Sequence, residues 1–432
     1  MASRLRHAAI VAGGLGSRAH GMTGDAIPKA LLPVAGVPIL FRQLSVLARE
    51  GVTHVTVLAG HLGGQLATAV ETEARRLSLA VSVLVEKEPL GTAGCLTALS
   101  PSENTLIVYG DMLFDLDLAR LAQAHGAAEL TIVAHPNDHP ETSDLVVEQS
   151  GLARAILAKG ARRDAGQRNL VPAGLYLASP AFFRGLAAGV KADIIHHVLP
   201  ARIAAGAVIG VYNTPEYLRD VGTPARHGLA EADIREGRVE AQSLRHRRPA
   251  IFFDIDGVLN EEPGGHGVSS SEDVRLLPGA AAALNTARAA GFLAVGVTNR
   301  PQLAKGLVDE DGLRRIFGRL ESLLAQDKAW LDRIYYCPHH PEAGHAGEVA
   351  TLKIVCDCRK PAPGLLKAAA HDLNIDLRRS VMIGDSPRDI GAAKAMGIRM
   401  HGVTTGLGFA DAPPDALFDG VLAAVTAAVA AS

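Results

Sequence analysis

Short apolar runs recur along the chain, each followed by a glycine-rich or acidic turn and then by a longer stretch with helical spacing. In the first half, His7–Val11, Val55–Leu58, Val81–Val85, Leu106–Tyr109 and Leu130–Val133 read as strands, with Ile39–Arg49 and Leu66–Leu77 reading as helices between them. A helical pattern at Ala225–Glu236 gives way to a polar stretch, Gly237–Pro249, whose Arg-His-Arg-Arg-Pro run reads as a solvated linker. A fresh strand then begins at Ala250–Phe253. Further runs at Phe292–Val297, Arg333–Tyr336 and Val381–Ile383 alternate with helical patterns at Ala280–Ala290 and Pro363–Leu373. Strands alternating with helices predict α/β domains built on parallel sheets. The expected organisation is one domain over residues 1–237, a linker at 238–249 and a second domain over 250–432.

Length supports the division, because 432 residues exceed what one hydrophobic core usually serves. With 48% hydrophobic and 20% charged residues the chain is an ordinary globular mix, which excludes disorder and fibrous repeats. Forty-three basic residues against 45 acidic ones, and only 4% aromatics, exclude the footprint of a nucleic-acid binder. The apolar start runs into a glycine loop rather than a cleavage site, and the apolar stretch Gly420–Ala431 is too short to span a bilayer, so it reads as a packed helix. The expectation is a cytoplasmic protein with no membrane partner. Three of the four cysteines (Cys337, Cys356, Cys358) fall within 22 residues beside a histidine, which points to a metal site in a reducing compartment. Cys95 reads as a small buried apolar residue, and His196-His197 as core and surface positions.

The loop after Ala250–Phe253 reads Asp254-Ile-Asp256-Gly. Two carboxylates there would face the crevice at the carboxyl end of a parallel strand. Phosphoryl transfer uses such a pair, one to attack phosphorus and one to protonate the leaving oxygen, with Mg²⁺ to neutralise their charge. Thr298-Asn299 ends the next strand, Lys360 opens Lys-Pro-Ala-Pro-Gly, and Gly384-Asp385-Ser386-Pro-Arg-Asp389 ends another. In this order the series resembles the haloacid dehalogenase-like phosphatases over residues 249–410. The resemblance implies Asp254 as nucleophile and Asp256 as general acid and base. It also implies that Thr298, Asn299 and Lys360 hold the phosphate, and that Mg²⁺ lies among Asp254, Asp256, Asp385 and Asp389.

Between these motifs lie Cys337-Pro-His339-His340 and Cys356-Asp-Cys358-Arg359-Lys360. Three thiolates and one imidazole form a closed tetrahedral set, the pattern of structural zinc. His339 matches the ligand position, while His340 is expected to face away. Zinc would fix the loop that carries Arg359 and Lys360 over the substrate. Within the phosphatase frame this pattern resembles the zinc-containing heptose 1,7-bisphosphate 7-phosphatases and histidinol-phosphate phosphatases. The chain departs from them in carrying Ile255, and Arg300-Pro301 where Gln-Ser is typical.

In the first half, Gly13-Gly14-Leu-Gly16-Ser-Arg18 follows the first strand, and such a glycine loop lets backbone N–H groups approach phosphate. Pro28-Lys29, Glu88-Pro-Leu-Gly91-Thr92-Ala-Gly, Gly110-Asp111 and Asp220-Val-Gly-Thr-Pro follow in order. Together they resemble the sugar-1-phosphate nucleotidyltransferases over residues 7 to about 235. The resemblance implies that Arg18 and Lys29 contact phosphates. Gly13, Gly14, Gly16, Gly91 and Thr92 would shape the nucleotide site, Gly91 leaving room for the base, and Asp111 with Asp220 would grip Mg²⁺. Ala158-Lys159 and Pro172-Ala173-Gly174 stand where relatives carry Glu-Lys and Asn-Ala-Gly at the sugar.

The combined expectation is a bifunctional heptose-activating enzyme acting on a sugar phosphate and a nucleoside triphosphate, with GTP the expected donor. The alternative is a phosphatase of histidinol phosphate or another small phosphate ester, attached to a non-catalytic nucleotidyltransferase-like module.

Overall fold

Strand Ala250–Phe253 is buried along its whole length, as a strand inside a helix-covered parallel sheet must be. In the computed structural model, which describes residues 5–14, 27–60, 62–137, 142–163, 166–344, 346–410 and 412–431, it lies in a six-stranded sheet. The order is Arg333–Cys337, Leu293–Asn299, Ala250–Phe253, Val381–Gly384, Arg399–Val403, Ala416–Phe418, every pair parallel. Alternation along the strand divides the core. Ile251 and Phe253 pack with helices Ala280–Ala289 and Val421–Ala430, whereas Ala250 and Phe252 pack with Gly364–Asp372 and Pro387–Ala395.

The other large sheet has nine strands, in the order Ala80–Val85, His54–Ala59, His7–Ala12, Thr105–Tyr109, Val171–Ala178, Leu130–His135, Ile209–Asn213, Leu152–Leu157, Leu145–Gln149. Its first four strands are parallel, as the alternation of elements requires. The expectation of a wholly parallel sheet does not extend further. Val171–Ala178 runs antiparallel to both of its neighbours. Leu145–Gln149 and Leu152–Leu157 form an antiparallel pair closed at Ser150 and Gly151, whose φ values of 53° and 78° suit a tight hairpin turn. A strand that returns without a helix leaves no helical period to betray it.

Helix Ile39–Arg49 shows how local pattern becomes packing. Its buried residues Ile39, Leu40, Gln43, Leu44 and Leu47 form one stripe, and Arg49 occupies the last turn, where a cation suits the helix dipole. No described helix is long and apolar enough to cross a membrane.

The chain divides into two compact units, one of Met1–His135, Asp144–Lys159 and Leu170–Ser243, the other of Pro136–Ser143, Gly160–Asn169 and Leu244–Ser432. Two short segments from the first half of the sequence thus belong to the second unit. There Glu321, 3% exposed on helix Glu310–Gln326, accepts from Arg168 Nη2 at 2.9 Å and from the Asn169 N–H at 2.9 Å. Nor is Gly237–Pro249 a solvated linker throughout. Arg238–Ala241 is a short helix that buries Val239 beside Tyr217, Val221 and Ala230. Leu244 is buried against Phe252 and Met382, and Arg248 is buried because its backbone exchanges hydrogen bonds with Asn374 and Asp376.

Candidate active sites

In the second unit, the carboxyl ends of three adjacent strands converge on one crevice. Asp254 follows Ala250–Phe253, Thr298 and Asn299 end Leu293–Asn299, and Asp385 follows Val381–Gly384. Lys360 is 2% exposed and reaches into the same place, 2.8 Å from Asp254 Oδ2. Its Nζ also donates to Asp389 Oδ1 at 2.7 Å and to the Val297 carbonyl at 2.9 Å. Asn299 holds Lys360 reciprocally, donating to its carbonyl and accepting from its N–H, both at 3.0 Å. The Asn299 side chain is thus committed to the Lys360 backbone, which leaves its own backbone N–H as the group that could face a phosphate.

Asp389 caps its own helix. Oδ2 accepts from the Ser386 N–H at 3.1 Å and the Ser386 hydroxyl at 2.7 Å. Asp385 accepts from the Leu407 N–H at 2.7 Å and is crowded by Gly257 and Gly406. Gly257 has φ 82°, and a Cβ on it would lie 2.4 Å from Asp385 Oδ2. Burial raises the Asp254 carboxyl well above the usual range. Lys360 opposes that rise, and Asp389 and Asp385 add to it. Burial likewise lifts Asp385 to about 6, against the pull of the Leu407 N–H. Burial would lower Lys360, but Asp254 and Asp389 outweigh it and hold the ammonium charged. One cation among two buried carboxylates and the half-buried Asp254 leaves an excess of negative charge when all three are ionised.

Asp254, Asp385 and Asp389 each offer an oxygen within 4.8 Å of the others, a hard-donor set that fits Mg²⁺. The Asp256 carboxylate, expected to join this set, does not. It turns instead to Arg300, whose Nη1 donates to Oδ2 at 2.7 Å.

Cys337, His339, Cys356 and Cys358 form a second cluster. The sulfurs lie 3.2–3.5 Å apart, and His339 Nδ1 is 3.3 Å from Cys358 Sγ, with no disulfide among them. Ligand atoms around a tetrahedral ion with bonds of about 2.3 Å sit roughly 3.8 Å apart, so these groups need spread by only a few tenths of an ångström for the three thiolates and one imidazole to hold zinc. His340 stays outside it, as expected, its Nδ1 facing the Glu342 carbonyl. Arg359 Nη1 donates to the His339 carbonyl at 3.2 Å, which ties the cluster to the Lys360 loop.

The first unit gathers its candidates around Gly222. A Cβ there would lie 2.7 Å from Asp220 Oδ1, 2.8 Å from Lys29 Nζ and 3.5 Å from Asp111 Oδ2. Lys29 pairs closely with Asp111. The pairing of Met112–Asp115 with Tyr217–Asp220 brings the two aspartates together. Arg226, not anticipated from sequence, donates to Asp220 Oδ2 at 2.6 Å. Gly13 and Gly14 follow the first strand, while Gly16 and Arg18 lie outside the described residues.

Gly91 has φ 79°, and a Cβ on it would lie 2.5 Å from the Ala192 carbonyl, so close backbone approach demands the glycine here. The Thr92 hydroxyl donates to Asp193 Oδ2 at 2.7 Å and accepts from the Ile194 N–H at 3.0 Å. Glu86 was also missed. Its Oε2 lies against Gly13, and burial raises its carboxyl.

Comparison with known proteins places each half. The nucleotidyl transferase family model matches residues 7–236, and the HAD-hydrolase-like model matches residues 357–424. The D-glycero-beta-D-manno-heptose-1,7-bisphosphate 7-phosphatase of Rhodopseudomonas palustris is 39% identical over 152 residues, 35% of this chain and 81% of that protein. The Vibrio cholerae protein of the same name is 38% identical over 151 residues, 35% of this chain and 78% of that one. The crystal structure of HddC from Yersinia pseudotuberculosis, 22% identical, aligns over 53% of this chain and 100% of its own with a TM-score of 0.47.

Proposed function

We propose that this chain, which belongs to the nucleotidyl transferase family through residues 7–236 and to the heptose 1,7-bisphosphate 7-phosphatase family through its second half, activates a heptose in two consecutive reactions. The second half hydrolyses the 7-phosphate of D-glycero-D-manno-heptose 1,7-bisphosphate. The first half joins the resulting heptose 1-phosphate to a nucleotide, with GTP as donor and pyrophosphate as the second product.

The observation that carries the phosphatase reading is the half-buried Asp254 facing buried Lys360 beside Asp385 and Asp389. Asp254 attacks phosphorus and the bond to the heptose oxygen breaks, its electron pair leaving with that oxygen. Asp256 supplies the proton. The Thr298 hydroxyl and Lys360 hold phosphoryl oxygens. Asp256 then takes a proton from the water that cleaves the aspartyl-phosphate, which frees phosphate and regenerates Asp254. Mg²⁺ held by Asp254, Asp385 and Asp389 would neutralise charge between the attacking carboxylate and the phosphate. Zinc held by Cys337, His339, Cys356 and Cys358 would be structural.

In the first half, Lys29 and Arg18 hold triphosphate oxygens, and Asp111 with Asp220 would hold a second Mg²⁺. Nucleotidyl transfer needs no covalent help from the protein, only in-line positioning and charge neutralisation.

Phosphate and pyrophosphate release across a panel of sugar phosphates and nucleoside triphosphates tests the reading. Phosphate should come from the heptose bisphosphate, and pyrophosphate only when heptose 1-phosphate meets its triphosphate. Rapid hydrolysis of histidinol phosphate, with no pyrophosphate from any triphosphate, would favour a phosphatase carrying a non-catalytic module.

A further inference from the structure

Arg300 is 1% exposed, and both terminal nitrogens of its guanidinium donate to Asp256, Nη1 to Oδ2 at 2.7 Å and Nη2 to Oδ1 at 3.2 Å. The same carboxylate accepts from Asn260 Nδ2 at 3.3 Å and from the Val268 N–H at 3.2 Å. Arg300 is itself anchored. Its guanidinium lies over the Phe317 ring, 5.4 Å from the centroid, and its N–H donates to the Cys337 carbonyl at 2.8 Å. Its Nε has no partner among the described residues. Burying a guanidinium with one N–H unsatisfied costs stability.

Gly267, at φ 67°, closes over this pair. A Cβ on it would lie 2.2 Å from Gln302 Nε2 and 3.2 Å from Asp256 Oδ2. The loop is tied down where Gln302 Nε2 donates to the His266 carbonyl at 2.7 Å. Asp256 is thus enclosed by donors, away from the three carboxylates beside Lys360, although its task requires it to reach the reacting oxygen. A carboxylate without a fixed partner spreads over several rotamers. One docked on a rigid two-pronged donor returns to the same place after each turnover.

We infer that Arg300 is a positioning residue for the phosphatase reaction, holding the Asp256 side chain at a defined resting place from which it takes a proton from the attacking water and, carrying that proton, gives it to the leaving oxygen of the next turnover. The inference rests on the reading of Asp256 as acid and base. It concerns a buried residue that would act through Asp256.

Leaving-group chemistry separates this role from a merely structural one. p-Nitrophenolate departs without a proton, whereas a heptose alkoxide does not. In Arg300→Gln, the first-turnover burst of p-nitrophenol from p-nitrophenyl phosphate should persist near the wild-type rate, at about one per chain. Steady-state turnover of that ester, which needs Asp256 for water attack, should fall roughly 10- to 100-fold, as should kcat on the heptose bisphosphate, with KM within about threefold. Arg300→Lys, which keeps one charged donor, should recover part of the loss. Equal loss of burst and turnover would overturn the inference, as would no loss in either. Undiminished turnover in Asp254→Asn would instead overturn the covalent reading on which it rests.

Discussion

Lys360 and Asp254 face each other at 2.8 Å beside Asp385 and Asp389, and this pair joins the loop after strand Ala250–Phe253 to the loop that follows Cys358. Asp254→Asn should lower phosphate release at least ~10³-fold, since an amide cannot form an acyl-phosphate. Lys360→Met should abolish release as well. It should also unfold more easily by about 3–5 kcal/mol, because buried Asp389 loses its cation. Thermal melting of that variant beside its activity checks both claims.

The raised carboxyl groups would make stabilisation by Mg²⁺ at this site depend on pH. Asp385 titrates near 6 when folded, against about 4 unfolded. Between those values the folded chain binds more protons than the unfolded one, so this group's contribution to stability falls as pH rises. Mg²⁺ offsets the repulsion only where the carboxylates are ionised. The rise in melting temperature on adding Mg²⁺ should therefore be larger at pH 7.5 than at pH 5. Equal shifts at the two pH values would argue against a metal among Asp254, Asp385 and Asp389.

Metal analysis should find one tightly held zinc per chain that survives dialysis stripping Mg²⁺. Cys358→Ser should release it and lose phosphatase activity, because Lys360 lies two residues away. Pyrophosphate release should stay within a few-fold, as roughly expected of separate sites. Active, zinc-free protein would refute the assignment.

Lys29→Ala or Asp111→Ala should abolish pyrophosphate release and leave phosphate release within about threefold. With the first half intact, Asp254→Asn also reports the order of the two reactions. It should release pyrophosphate from GTP with heptose 1-phosphate and not with the bisphosphate, since an unpaired second phosphate costs on the order of a thousandfold in binding. Equal rates on both sugars would overturn that order.

Residues 244–432 expressed alone lack Arg168 and Asn169, which supply donors to buried Glu321. An unsatisfied buried carboxylate costs roughly 1–3 kcal/mol or more. The fragment should lose phosphatase activity at a lower temperature than the full chain, and Glu321→Gln should narrow the gap. Identical inactivation temperatures would mean that the 160–169 segment contributes nothing to the second unit.

The strand-end carboxylates and the cysteine cluster were legible in sequence because covalent geometry does the work there. An apolar run with strand spacing ends where it must, so Asp254 and Asp385 had to lie at strand ends, and three cysteines with one histidine have few other uses. Lys29, Asp111 and Asp220 were recognisable as a set, but not their closure around Gly222, which depends on the pairing of Met112–Asp115 with Tyr217–Asp220. The antiparallel return of Val171–Ala178 left no helical period to read, and the docking of residues 160–169 on the second unit left no local pattern at all. Arg300 and Asp256 lie 44 positions apart, and nothing in either neighbourhood requires them to meet. Spacing along the chain follows from the backbone of each element alone. Which side chain fills the far side of a crevice follows from how elements pack, and there the Asp256 carboxylate went to Arg300 rather than to the carboxylates beside Lys360.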